Sequence, residues 1–260
     1  MGNYNDIQED FYTERSRILD ALAAPQNQHI IMRLIGALAF RTHCPQFGHI
    51  QDDLGRIFTD IDFASYPQFF KDIINVLTEL GYEEDRMVTQ LFSESRLLFH
   101  DPKYGRHIDI FFNKLDFCHV INFVGRLEIE TQTLPLAELF LEKMQIVKLN
   151  EKDLIDTIML LREHPIGDHD RETINAKIIA KTLADDWGFW RTVTANIKLV
   201  DDELKHYSRL SDKDAEVVHQ RIQELYEWID NTPKTTRWKL RSKIGDKVKW
   251  YKDVEELMNR

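Results

Sequence analysis

Cysteine is scarce. The 260 residues hold only Cys44 and Cys118, too few for a disulfide scaffold and without a CxxC pair suited to zinc. A reducing compartment follows as the expectation, with the cytoplasm as default. Long apolar runs are also missing: the stretch from Ile30 to Phe40 is too short to cross a bilayer and carries Arg33. The opening MGNYNDIQED is polar and acidic, unlike the basic start and apolar centre of a secretory signal, so no membrane partner is expected. Positive charge is in deficit overall. A formal net charge of −10 argues against a surface that wraps nucleic acid throughout, though it leaves room for a local basic patch. The Walker phosphate loop, GxSxG, HExxH and GxGxxG are all absent, which removes the common hydrolase, metalloprotease and dinucleotide chemistries.

What is present reads as a globular chain with 43% hydrophobic residues, enough for one large domain or two modest ones. From Phe11 to Ala24 the spacing of Phe11, Ile18, Leu19, Leu22 and Ala23 predicts an amphipathic helix ending before Pro25. HIIMRLIG predicts a buried strand that stops at Gly36, followed by a short helix, ALAFRTH. Tyr66-Pro67 opens a helix with apolar positions Phe70, Ile73, Ile74, Leu77 and Leu80, capped by Gly81. MVTQLFS, RLLFH and HIDIFF then read as antiparallel strands. After Pro135 the periodicity turns helical, with helices expected at about 136–149, 151–163, 170–185, 189–206, 212–231 and 236–245. The expected fold class is therefore α+β: a mixed sheet with flanking helices over residues 1–132, then an all-helical region over 133–260.

RIFTDIDFASY, Arg56 to Tyr66, raises the chemical question. Side chains alternate across a strand, so Asp60 and Asp62 share one face while Ile57, Ile61 and Phe63 take the other. Two neighbouring carboxylates repel unless a cation lies between them or one is protonated. Mg²⁺ suits the pair, since it takes hard oxygen ligands, uses one or two protein carboxylates and fills its other positions with water and substrate phosphates. A second metal needs a further acid. Asp109 in HIDIFF supplies one, with His107 on its face. The alternative is an edge strand whose polar face simply meets water.

The order Leu34-Ile35-Gly36-Ala37, Thr59-Asp60-Ile61-Asp62-Phe63 and His107-Ile108-Asp109-Ile110 resembles the nucleotidyltransferase fold of the DNA polymerase β superfamily. That signature is a hydrophobic residue, Gly and Gly or Ser, then Asp-x-Asp, then a third acid on a later strand. LPLAELFLEKMQIVKLNEKDLIDTIMLL resembles the segment after the sheet in bacterial nucleotidyltransferase-like proteins, including toxins of the abortive-infection type. Here Lys143 and Lys152-Asp153-Leu154-Ile155-Asp156 occupy the lysine and the basic-Asp-x-x-Asp positions. The resemblance implies an NTP-dependent enzyme in which Asp60, Asp62 and Asp109 hold Mg²⁺ and a nucleoside monophosphate passes to a hydroxyl of an RNA, protein or small molecule. It further implies that Gly36, with Ala37 at the start of the short helix, admits the phosphates to the backbone. Lys143 would contact the triphosphate, with Asp153 orienting it, and Arg56 is a further phosphate candidate. Ala37 departs from the pattern by offering no hydroxyl, and the 22 residues from Leu38 to Thr59 make a long gap. The same scaffold without catalysis would give a nucleotide- or RNA-binding protein, or the toxin side of a two-component system.

Two other stretches call for a reading. His164, Asp168, His169 and Asp170 in HPIGDHD have metal-ligand chemistry but read more simply as a polar interhelical loop. The tail TPKTTRWKLRSKIGDKVKWYK, Thr232 to Lys252, carries eight Lys or Arg and one Asp. It either holds phosphates while Trp238, Trp250 and Tyr251 stack on bases, or folds back onto the acidic body, with Asp201 to Glu203 and Glu224 to Asp230 as partners. The second is preferred. The aromatic run Asp186 to Arg191 reads as packing between helices.

Overall fold

The structure, a computed structural model, describes residues 4–208 and 210–253, with residues 4–8 described by their backbone alone. It is an α+β protein whose sheet is followed by a helical region. Residue contacts divide the chain into two compact units. The first takes the described residues up to His43, with Arg56–Leu115 and Asn122–Pro135; the second takes Cys44–Gly55, Asp116–Ile121 and the described residues from Leu136 onward.

Chain order begins with α1 (Tyr4–Ala23), β1 (Met32–Ile35), α2 (Gly36–His43), α3 (His49–Asp53) and β2 (Asp60–Ser65). Then come α4 (Phe70–Glu79), β3 (Glu83–Glu84), α5 (Arg86–Phe92), β4 (Arg96–His100) and β5 (His107–Phe112). Two short strands follow, β6 (Lys114–Asp116) and β7 (Val120–Asn122). The rest is α6 (Leu136–Met144), α7 (Glu151–Glu163), β8 (Ile166–Gly167), β9 (Ile174–Asn175), α8 (Ala176–Asp185), α9 (Trp187–Glu203), α10 (Asp212–Asn231) and α11 (Thr236–Ser242).

The first unit is built on a five-stranded sheet ordered β1-β2-β5-β4-β3. β2 and β5 run parallel, and the other neighbours are antiparallel, so the sheet is mixed. One face is fully apolar: Ile61 and Phe63 of β2, Leu97 and Phe99 of β4, and Ile108, Ile110 and Phe112 of β5 are at most 1% exposed. Each such burial contributes roughly 1.5–3 kcal/mol, which fixes the register, because a one-residue slip would put every one of these side chains on the wrong face. α4 helps to close the core with Ile73, Val76 and Leu77, and Phe70 packs 6.2 Å from Phe112, ring centre to ring centre. α1 adds Phe11, Ile18 and Leu22.

MVTQLFS is not a strand. It forms α5, because Asp85 accepts hydrogen bonds from the Met87 and Val88 amides and nucleates a helix that its β-branched content disfavours. Glu83–Glu84 pairs with β4 in its place. Ile57 also departs from expectation: β2 begins only at Asp60, and Ile57 is 44% exposed instead of buried.

In the second unit α7 and α10 keep the expected limits, 151–163 and 212–231. The start of α7 is a capping box in which the Asn150 side chain accepts from the Asp153 amide and the Asp153 carboxylate accepts from the Asn150 amide. α8 starts later than expected, at Ala176, because Ile166–Gly167 and Ile174–Asn175 pair as two parallel strands and Asn175 then caps the helix. α6 is shorter, ending at Met144.

Candidate active site

The second face of the sheet is polar. Strand alternation and register put Asp60 and Asp62 of β2 beside His107 and Asp109 of β5: Asp60 is aligned with His107 and Asp62 with Asp109. Neighbouring strands lie about 4.8 Å apart, so three acids from two distant stretches of sequence occupy one small area. Asp60 and Asp62 are half-buried and Asp109 is buried. The expected alternation holds here, since Ile61 and Phe63 between and after them are fully buried.

Gly36 sits at the junction of β1 and α2 with φ +67°, a left-handed conformation that favours glycine. A Cβ on Gly36 would lie 2.5 Å from Oδ2 of Asp62. The glycine is therefore required twice, by its backbone angle and by the carboxylate that occupies the space of a side chain. Ala37, next to it, is buried in α2.

A cation already contacts the third acid. Arg96 of β4 donates from Nε to Oδ1 of Asp109 at 2.6 Å, while its guanidinium lies 5.3 Å from the centre of the Phe111 ring. A carboxylate accepts about four hydrogen bonds, so this one leaves Asp109 with lone pairs to offer. Among the described residues no group of three or more His, Cys, Asp or Glu side chains stands arranged to hold a metal ion. The three acids share a face without forming a closed cage. Mg²⁺ does not demand one: one or two carboxylates plus substrate phosphates suffice.

Beside the acids runs a histidine relay. His100 Nε2 is 3.1 Å from Oδ2 of Asp85, and His100 Nδ1 is 2.8 Å from Nδ1 of His107. Asp85 only accepts, so with both rings neutral the His100 proton lies on Nε2, and His100 Nδ1 accepts from Nδ1–H of His107. The lone pair of His107 then rests on Nε2. The amides of Val88 and Met87 and the His100 ring together hold the Asp85 carboxyl below its usual range, the Val88 amide contributing most. His107 drew notice from the sequence; its partners His100 and Asp85 did not, since a two-ring contact across a hairpin leaves no local signal.

The second unit contains a separate charged cluster. The Lys143 Nζ lies 3.2 Å from Oδ1 of Asp153 and 3.2 Å from Oδ2 of Asp156. Lys143 and Asp153 are each 8% exposed and Asp156 is fully buried, with Gln51 of α3 donating to its Oδ1 at 2.7 Å. Asp153 and Asp156 of the basic-Asp-x-x-Asp stretch both pair with Lys143, and Gln51, which was not foreseen, holds Asp156. Both partners are positioned by α7, on which residues 153 and 156 are one turn apart.

Arg56 is buried, donates to the Ile57 carbonyl and lies over the Phe58 ring, so its guanidinium is held by its own neighbourhood. HPIGDHD connects two helices but is not wholly a loop, since β8 (Ile166–Gly167) runs through it; Asp170 accepts from Asn175, and His164 is buried. The basic tail folds back; Lys234 donates to the Ile229 carbonyl within the Glu224–Asp230 stretch, while the rest of the tail finds other partners than the acidic stretches proposed for it. Trp250 donates from Nε1 to Thr192, Arg241 lies 4.5 Å over the Trp187 ring, Arg191 pairs with Asp246 and Lys252 with Asp116. Asp201 pairs with His219 and Asp202 with Lys198, which satisfies those acids locally. The aromatic run is interhelical packing: Trp187 and Trp190 are 6.4 Å apart, and Trp190 meets Trp238 at 5.2 Å.

No helix among the described residues is long and apolar enough to cross a membrane. No protein family, curated protein or solved structure matches this chain.

Proposed function

We propose that the chain is a Mg²⁺-dependent nucleotidyltransferase that moves a nucleoside monophosphate from an NTP to a hydroxyl acceptor. One observation carries the reading: Asp62 and Asp109 are register partners on parallel strands, with Asp60 on the same face. The donor set is all hard oxygen, as Mg²⁺ prefers, and Gly36 leaves room for the Asp62 carboxylate that any side chain would displace. Asp60, Asp62 and Asp109 would hold the ion. Bound there, Mg²⁺ supplies charge neutralisation for the triphosphate and for the transition state of an in-line displacement. In that displacement the acceptor oxygen bonds to the α-phosphorus, the bond to the bridging oxygen breaks, and pyrophosphate leaves.

The test is label transfer. The chain is incubated with each α-labelled NTP, Mg²⁺ and total cellular RNA and protein, beside D60A/D62A. Transfer by the wild type that the double variant loses supports the enzyme; transfer that survives the double substitution overturns the mechanism. A second reading, a non-catalytic nucleotide-binding protein on the same scaffold, draws on the 2.6 Å contact of Arg96 with Asp109, which already supplies that acid with a positive partner. Nucleotide binding without transfer is its signature.

A further inference from the structure

Two exposed patches carry opposite charge, one in each compact unit. The first is on the docked tail. Its aromatic rings point inward, where Trp238 packs on Trp190 and Trp250 on Trp187, so its outer side is fixed in place and turned to solvent. On that side Lys239, Lys243 and Lys247 recur every fourth residue, all exposed, and none makes an ion pair among the described residues. Next to each is an aliphatic residue: Leu240 is 59% exposed, Ile244 45% and Val248 56%.

The second patch surrounds α5, which buries none of its residues fully. Met87 and Leu91, one helical turn apart, are 63% and 68% exposed, and Phe92 is 40% exposed. Acid precedes and follows them in sequence, with exposed Arg86 as the one cation on α5 itself. Glu83 and Glu94 are exposed and Glu84 is half-buried, and none of the three makes an ion pair among the described residues.

Exposed apolar side chains with charge beside them mark an interaction site. Each stretch offers what the other lacks, three lysines next to three aliphatic side chains against three carboxylates next to three apolar side chains. We propose that copies of this chain associate heterologously, the α5 patch of one copy seated on the tail patch of the next. Opposite charge steers the encounter and fixes the register, while desolvation of the apolar rows supplies the attraction. A nucleic acid is the poorer occupant of the tail patch, because the rings that would stack on bases are spent inside. A partner that engulfs a helix in a groove is also disfavoured, because the inner side of α11 is already packed on α9.

The test is sedimentation of the full chain with three variants of exposed or half-buried residues, each first verified as folded by its circular-dichroism melt. At low ionic strength the wild type sediments above its monomer mass of 30.9 kDa, and association weakens in about 1 M salt, where the screening length falls to about 3 Å. K239E/K243E/K247E weakens association by about tenfold or more, and E83K/E84K/E94K does the same. An equimolar mixture of the two reversed chains reassembles, since each again presents a complementary patch to the other. L240S/I244S weakens association without altering its salt dependence. A wild type that stays monomeric overturns the proposal, as does reassembly failing in the mixture while both variants are folded. A tail patch that binds anionic vesicles or RNA in a chain that remains monomeric overturns it as well.

Discussion

Aspartates do opposite work on β2 and on α7. On the sheet, Asp60 and Asp62 are half-exposed and lie beside Asp109, whose carboxylate is paired with Arg96. On the helix, Asp153 and Asp156 are buried around one lysine, and Gln51 satisfies a further oxygen. The first group keeps part of its surface open to solvent and has Arg96 on one of its acids. The second is buried and paired within the chain. The difference follows burial: acids with access to water need no buried cation, whereas those on α7 are compensated on the spot.

The largest expected effect breaks the comparison on the sheet side: D60A/D62A lowers label transfer on the order of a thousandfold or more while the melting temperature stays within a few degrees of the wild type. The reverse holds on the helix side. D156A leaves Lys143 paired with Asp153 alone and the buried Gln51 amide without its acceptor, and costs about 1–3 kcal/mol in denaturant unfolding, because a buried donor is left unsatisfied.

A buried histidine sharpens the contrast through pH. His119 stacks on Phe189 at 4.8 Å, lies 2.8 Å from Thr192 Oγ1, and burial pushes its pKa down to about 4. An unfolded histidine takes up its proton near 6.5, so protons favour the unfolded chain below that pH. Stability is fully present above about 6.5 and is lost as pH falls toward about 4, by about 3 kcal/mol in total. Denaturant melts of the wild type at pH 7 and pH 4.5 show this loss, and H119Q flattens that part of the profile.

Smaller again is G36A. The left-handed φ and the 2.5 Å approach to Asp62 together cost about 1–3 kcal/mol, and the variant loses transfer beyond what its stability explains because the carboxylate must move. Smallest is the surface pair Lys198–Asp202, exposed on α9, whose removal by K198A leaves the denaturant midpoint unchanged within error.

Much of this was legible in the sequence where one face is buried and the other is not. β2, β4 and β5 show it: alternation in DIDFAS, RLLFH and HIDIFF matches the observed strands, and the aspartates emerge on the polar side. α5 was misread because Met87 to Phe92 satisfies a strand pattern and only the cap at Asp85 decides otherwise. The pairing of Asp62 with Asp109 across a parallel contact, the hold of Arg96 on Asp109 and the support of Asp156 by Gln51 join residues far apart in sequence or across a hairpin, where no local period records them. The tail's return was anticipated from its charge, but aromatic packing against α9 selected the place where it docks.

The cation site on the sheet face is tested most directly by Mn²⁺ as a spectroscopic substitute for Mg²⁺, titrated into the wild type, D62N and the buried-cluster variant K143M under electron paramagnetic resonance. Binding by the wild type and K143M that D62N loses is the expected result. Equal binding by the wild type and D62N, or none by the wild type with nucleotide present, contradicts a metal held by Asp60, Asp62 and Asp109.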